Sequence, residues 1–235
     1  MNPPNHGARA RWAALAVGVV AIGLASGGGA AAHWRGGPSW HARPVGGAAW
    51  FVHLIGGPSG IGKTTVAAQV ARRLDVPWLM VDDLRLALMR SGLPIPDNPR
   101  AEAFDPKDGL LAIGETVTPA IEVVIENHVD QRIPVVIEGD GILPSLFERE
   151  SVRTRATGGR IRVVYLTEPD PDALYANLVA RGADAWRGDL RWYARRSAAY
   201  GEWLRAEAEG RGLPVLLARP HDTLVNRILA ASGLL

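Results

Sequence analysis

The sequence predicts an α/β fold built on a parallel sheet, and two observations carry that expectation. Apolar, β-rich runs at 50–55, 78–81, 134–137, 162–166 and 213–217 alternate with stretches of helical period. Strands separated by helices pair in parallel and are covered on both faces, which gives a three-layer α/β/α arrangement of five strands. The second observation is the segment Gly57-Pro-Ser-Gly-Ile-Gly-Lys-Thr64, standing between the first strand and the first helix. A chain of 235 residues is long enough for one such domain and an extension.

Composition removes several function classes. With no cysteine, the chain holds no disulfide framework, thiolate zinc site, iron–sulfur cluster or cysteine nucleophile. The net charge of +2 conceals an asymmetry: residues 1–50 contain four Arg and no acidic residue, leaving 22 basic against 24 acidic groups in the rest. The slightly acidic remainder argues against a nucleic-acid partner.

Residues 1–48 are expected to lie outside the folded domain, which spans 49–235. The run 12–32 is uncharged, follows Arg9 and Arg11, and ends in Ala30-Ala31-Ala32. It fits a disordered or misassigned extension, a membrane anchor, or a cleaved signal. The last two would carry the following domain out of the cytoplasm, away from the ATP that the G-x-x-x-x-G-K-[ST] pattern of Gly57–Thr64 calls for, so the expectation is a cytoplasmic protein. Any membrane contact rests on 12–32 alone.

The strand 50–55 (WFVHLI) runs into G-x-x-x-x-G-K-[ST] at 57–64, and the helix Thr64–Leu74 follows. Glycines 57, 60 and 62 allow backbone N–H groups to turn inward around phosphates, and the helix N-terminus adds partial positive charge. Gly57, Ser59, Gly60, Ile61, Gly62, Lys63, Thr64 and Thr65 are therefore the expected ATP contacts. Lys63 is placed on the β- and γ-phosphates, with Thr64 on Mg²⁺. Only two of the 26 basic residues are Lys, at 63 and 107, so Lys63 stands out from an Arg-rich background.

The second strand ends in Asp82-Asp-Leu-Arg85. At the C-terminal edge of a parallel sheet, Asp82 can accept a hydroxyl proton and Arg85 can hold an anionic acceptor. Equally, Asp82 or Asp83 can cap a helix beginning near Leu84. A Pro-rich loop (91–106) leads into a helical stretch of about 108–131. Pro119 is expected to kink or break it, and Glu115, Glu122 and Glu126 read as a solvated face. The third strand ends in Glu138-Gly-Asp-Gly141, where Glu138 or Asp140 can serve a magnesium ion. Glu138 is the expected metal-side acid. After the fourth strand and a helix of about 172–181, Arg187, Arg191 and Arg195 recur at i, i+4 and i+8. They form either a plain surface row or, with Arg181, a lid. At least one of the five Arg between 181 and 196 is expected to reach phosphate. The loop 218–224, ARPHDTL, closes the series, with His221 as either a turn residue or a base contact.

GPSGIGKTT (57–65), VDDLR (81–85), VVIEGDGILP (135–144) and ARPHDTLVNRIL (218–229) together resemble the P-loop kinase superfamily over about 50–235. They are most similar to 2-phosphoglycerate kinase-like proteins and to bacterial proteins named AAA family ATPases. The resemblance implies a P-loop NTPase sheet of order 2-3-1-4-5 with a helical lid. It also implies Mg-ATP as donor, a small-molecule hydroxyl as acceptor, Asp82 as base and Arg85 as ligand of the acceptor's phosphate. The D-x-x-R also resembles polynucleotide and zeta-toxin-like kinases. EGDGILP departs from the D-G-[FY]-P-R of nucleoside monophosphate kinases, which speaks against a nucleotide acceptor. A nucleotide-dependent switch that hydrolyses ATP slowly is the non-kinase alternative.

Overall fold

Strand β1 (Val52–Gly56) is the centre of one five-stranded parallel sheet, in the order β2-β3-β1-β4-β5 that the resemblance implies. The computed structural model describes residues 50–96, 106–182 and 189–235. The extension 1–48, most of the Pro-rich loop and Arg187 lie outside them. Among the described residues no helix is long and apolar enough to cross a membrane.

The flanking strands are β2 (Trp78–Met80), β3 (Val135–Gly139), β4 (Ile161–Thr167) and β5 (Val215–Leu217). Side chains alternate between the sheet faces. Ile55, Val136, Val164 and Leu166 join the cluster formed with α1 (Lys63–Leu74) and α7 (Leu224–Ala231). Leu54, Val135, Ile137 and Val163 join the other cluster, with α3 (Pro106–Gln131) and the later half of α6 (Leu190–Glu209). The same alternation puts Glu138 on the α1 face, one residue beyond Ile137.

Several boundaries differ from the sequence expectation for physical reasons. Helix α2 (Val81–Arg90) starts directly after β2, so Asp82 and Asp83 lie in its first turn and Met80 is the cap. Val81 is buried against Gly139, where an added Cβ would come 2.5 Å from Val81 Cβ, and this contact draws the helix start back to the strand end. Helix α3 runs through Pro119 unbroken because Val117, Ile121, Ile125 and Val129 anchor one stripe of it in the core. Its acidic face is not merely solvated. Glu122 receives hydrogen bonds from Arg149 and Ser151, and Glu126 and Asp130 pair with Arg155, all from the segment that includes α4 (Glu150–Thr157).

His53 in β1 is fully buried, with its Nε2 2.8 Å from the Ser232 hydroxyl just past α7. Burial, helped by the Arg162 charge, lowers its pKa to about 3. The unfolded ring takes up a proton below about 6.5 while the folded ring stays neutral, so the unfolded state binds more protons between those values. This contribution to stability is complete above pH 6.5 and is lost as pH falls, by up to about 1.4 kcal/mol per unit. Urea midpoints at pH 7 and pH 5 should show the loss, and His53→Gln should flatten it. Equal slopes for both proteins would count against the buried neutral ring.

Candidate functional site

The glycine-rich loop links β1 to α1 in backbone conformations that exclude side chains. Gly57, Gly60 and Gly62 have φ of 145°, 86° and 87°, and a Cβ on Gly57 would lie 2.5 Å from the Leu166 carbonyl oxygen. Ile61 is buried and pins the loop to the core, while Asn177 from α5 (Pro171–Ala180) donates to the Gly60 carbonyl at 3.0 Å. Gly62 caps α1 without a side chain, leaving the first N–H groups of that helix to face the loop. Backbone donors, a helix N-terminus and an amine thus converge, a combination that attracts phosphate.

Side chains lock the loop to the strand ends. Thr64 donates to Glu138 Oε1 at 2.8 Å, and Ser59 donates to Asp140 Oδ2 at 2.8 Å. Lys63 is almost wholly buried and donates to the Pro58 carbonyl at 2.8 Å. Burial raises the pKa of Glu138, and Asp140 and Asp82 push it further up, against the lowering effects of Lys63 and the Thr64 hydrogen bond. Acidic oxygens beside a threonine hydroxyl form a donor set suited to a hard cation. Among the described residues no three acidic or histidine side chains enclose a metal on their own. A Mg²⁺ ion here would share its shell with phosphate oxygens, its common state in nucleotide sites.

Three adjoining hollows meet at this loop. The smallest, about 50 Å³, lies over Gly60, Gly62, Lys63 and Thr64, with Asp82, Glu138, Asp140 and Arg181 at its margin. A second, about 150 Å³, shares Ser59, Asp82 and Asp140 with it and adds Arg85, Leu110, Ile113, Tyr193, Arg196 and Ser197. A third, about 360 Å³, shares Gly60, Gly62 and Arg181 and continues along Thr65, Val66 and Gln69 to His221 and Leu224.

The expected site residues divide accordingly. Asp82 and Arg85 both line the second hollow, but they also bond to each other, Arg85 Nε donating to Asp82 Oδ1 at 3.2 Å. Both acids left open at β3 are used, Glu138 towards Thr64 and Asp140 towards Ser59. Arg181 stands at the junction of the first and third hollows. Arg191 and Arg195 do not enter any of the three: Arg191 lies 4.2 Å over the Tyr175 ring and 3.6 Å from Asp172, and Arg195 is exposed. Their helix packs into the core through Ala194, Tyr200, Leu204 and Ala208.

Arg196, also among the five arginines between 181 and 196, is the one on α6 that faces a hollow. It is 6% exposed, lines the second hollow, and lies 5.3 Å over the Trp192 ring. Burial lowers its pKa, while Tyr193, Asp140 and Tyr200 oppose the shift. Trp192, Arg196 and Tyr200 make their own i, i+4, i+8 row, and a lone Arg in a row of aromatics was the signal available in the sequence. Tyr200 fixes Asp140 by donating to its backbone carbonyl at 2.8 Å.

No family model matches the chain. It is 27% identical over 202 residues to a 2-phosphoglycerate kinase of Methanopyrus kandleri, covering 77% of this chain and 60% of that protein. A 2-phosphoglycerate kinase of Methanothermobacter thermautotrophicus is 26% identical over 192 residues, covering 71% and 60%. The chain therefore spans about 60% of the length of these relatives. Among solved structures, a gluconokinase from Sinorhizobium meliloti 1021 has a TM-score of 0.46 at 19% identity, covering 79% of this chain and 93% of its own. A shikimate kinase from Bacteroides thetaiotaomicron has a TM-score of 0.45 at 19% identity, covering 77% and 97%.

Proposed function

We propose that residues 49–235 form an ATP-dependent phosphotransferase domain whose acceptor is a small hydroxyl compound carrying an anionic group, such as a phosphorylated acid. The observation that carries the proposal is the junction of a phosphate-binding loop with a second hollow that holds two arginines and two aspartates. The name of the two archaeal relatives supports the phosphorylated-acid class.

Mg-ATP would supply the phosphoryl group, and its metal would neutralise phosphate charge as the group transfers. Thr64 and Glu138 are the residues that would hold the metal. Lys63 leaves the Pro58 carbonyl and places its amine against the phosphates, as the loop N–H groups hold them. Arg85 and Arg196 bind the acceptor's anionic group from different helices, orienting its hydroxyl toward the loop. Asp82 lines both hollows and takes the hydroxyl proton, so its carboxylate gains a proton as the acceptor oxygen becomes nucleophilic. Leu110 and Ile113 make one wall apolar and limit water there. Positioning and electrostatics supply most of the catalysis in such chemistry.

ADP release across a panel of phosphorylated acids, sugars, nucleosides and antibiotics tests this reading. An acceptor-dependent rate that Asp82→Asn lowers about a hundredfold or more is the expected result. Silence across the panel with ATP binding retained would favour a nucleotide-dependent switch.

A further inference from the structure

The third hollow has two walls that come from different parts of the chain. One is α5, presenting Asn177, Ala180 and Arg181; the other is the 218–223 loop and the start of α7, presenting His221 and Leu224. The floor is the first turns of α1. On the nucleotide reading proposed above, this is where the base of ATP lies, because the hollow continues from Gly60 and Gly62 and offers Val66, Ala180 and Leu224 to a planar apolar face.

A guanidinium ties the loop wall to the turn that starts α5. Arg219 donates to Glu168 Oε2 at 2.6 Å and to Glu168 Oε1 at 3.1 Å, and reaches Asp170 Oδ2 at 3.3 Å. Glu168 is 4% exposed at the end of β4, and its Oε1 also accepts from the Asp170 N–H at 3.0 Å. Asp170 in turn caps α5, accepting from the Asp172 N–H at 2.9 Å. On the opposite side, Arg227 of α7 holds the loop by donating to the carbonyls of Leu217 and Pro220, each at 2.7 Å. The Ala218 N–H donates to the Thr167 carbonyl at 2.8 Å. The gap between the walls is therefore set by Arg219 bound two-pronged to a carboxylate whose own position is fixed by burial.

We infer that Glu168 and Arg219 are positioning residues for the donor's base. They hold the His221 loop at a fixed distance from α5 and so tune affinity for a nucleoside triphosphate, without touching its phosphates. A two-pronged Arg–carboxylate contact imposes both distance and plane, which a lysine cannot reproduce. A wall fixed before the ligand arrives saves the ordering that a loose loop would undergo on binding. The Glu168–Arg219 pair would thus separate recognition of the base from recognition of the triphosphate, two tasks that occupy adjoining hollows.

Inorganic tripolyphosphate separates the two tasks experimentally, because it can occupy the phosphate loop and has no base. Dissociation constants for ATP and for tripolyphosphate, each with Mg²⁺, are measured by calorimetry on the full chain and on Arg219→Met, Arg219→Lys and Glu168→Gln. The expected result is that Arg219→Met and Glu168→Gln weaken ATP about tenfold, Arg219→Lys recovers part of that loss, and tripolyphosphate shifts less than twofold throughout. Equal weakening of both ligands would mean that the pair only supports the fold, and no change in either would mean that the walls do not need it. Each of these overturns the inference while leaving the phosphate loop intact. A wild-type chain that binds neither ligand overturns the nucleotide reading itself, and the inference with it.

Discussion

Lys63→Ala is expected to lower acceptor-dependent ADP release by two to three orders of magnitude, about 3–4 kcal/mol of barrier. The side chain is 7% exposed and its amine already has a partner in the Pro58 carbonyl, so the stem is held in place before any phosphate arrives. Exchanging that carbonyl for a phosphate oxygen replaces a neutral acceptor with a charged one, and the gain grows as charge develops on the transferring group. Alanine leaves the loop's N–H groups and helix N-terminus in place, so ATP binding should weaken less than turnover. Losing one buried hydrogen bond costs the fold about 1 kcal/mol, which thermal unfolding can bound independently. Turnover at the wild-type rate would remove Lys63 from the site.

Arg196→Met is expected to raise the KM for the acceptor tenfold to a hundredfold and leave the KM for ATP unchanged. Charge-assisted hydrogen bonds to an anion contribute about 1.5–3 kcal/mol, and Arg196 lines the second hollow and neither of the other two, so on the proposed function its loss falls on the acceptor. Methionine keeps the length of the stem packed beside Trp192. A melting curve of the same variant separates loss of acceptor affinity from loss of the fold. A raised acceptor KM with an unchanged ATP KM is the combination that a purely structural arginine would not give. An unchanged acceptor KM would assign the anion to Arg85 alone.

Some of the site was legible because it is local. G-x-x-x-x-G-K-T between a strand and a helix encodes its own geometry: glycines where φ is positive, then a helix whose first N–H groups are open. Strand and helix alternation was equally readable, since a buried parallel strand needs a continuous apolar run. What escaped was set by packing between distant segments. Helix α2 begins at Val81 because Gly139, on another strand, leaves room for it, and nothing in VDDLR alone records that vacancy. Pro119 fails to break α3 because four core residues outweigh one missing hydrogen bond. The arginine row 187, 191, 195 drew attention through its period. Yet Arg196, one residue further round the helix, is turned inward by the burial of Trp192 and Tyr200.

The sequence by itself determined the glycine-rich turn between the first strand and the first helix, the strand end that carries Glu138, and the α/β class, because each depends on residues within a few positions of one another. The tertiary structure alone decided which carboxylate meets which hydroxyl, which arginines line the second hollow, and that Arg219 spans to Glu168 across 51 residues. Those pairings depend on sheet order and on which face of a helix is buried, and both are properties of the assembled core.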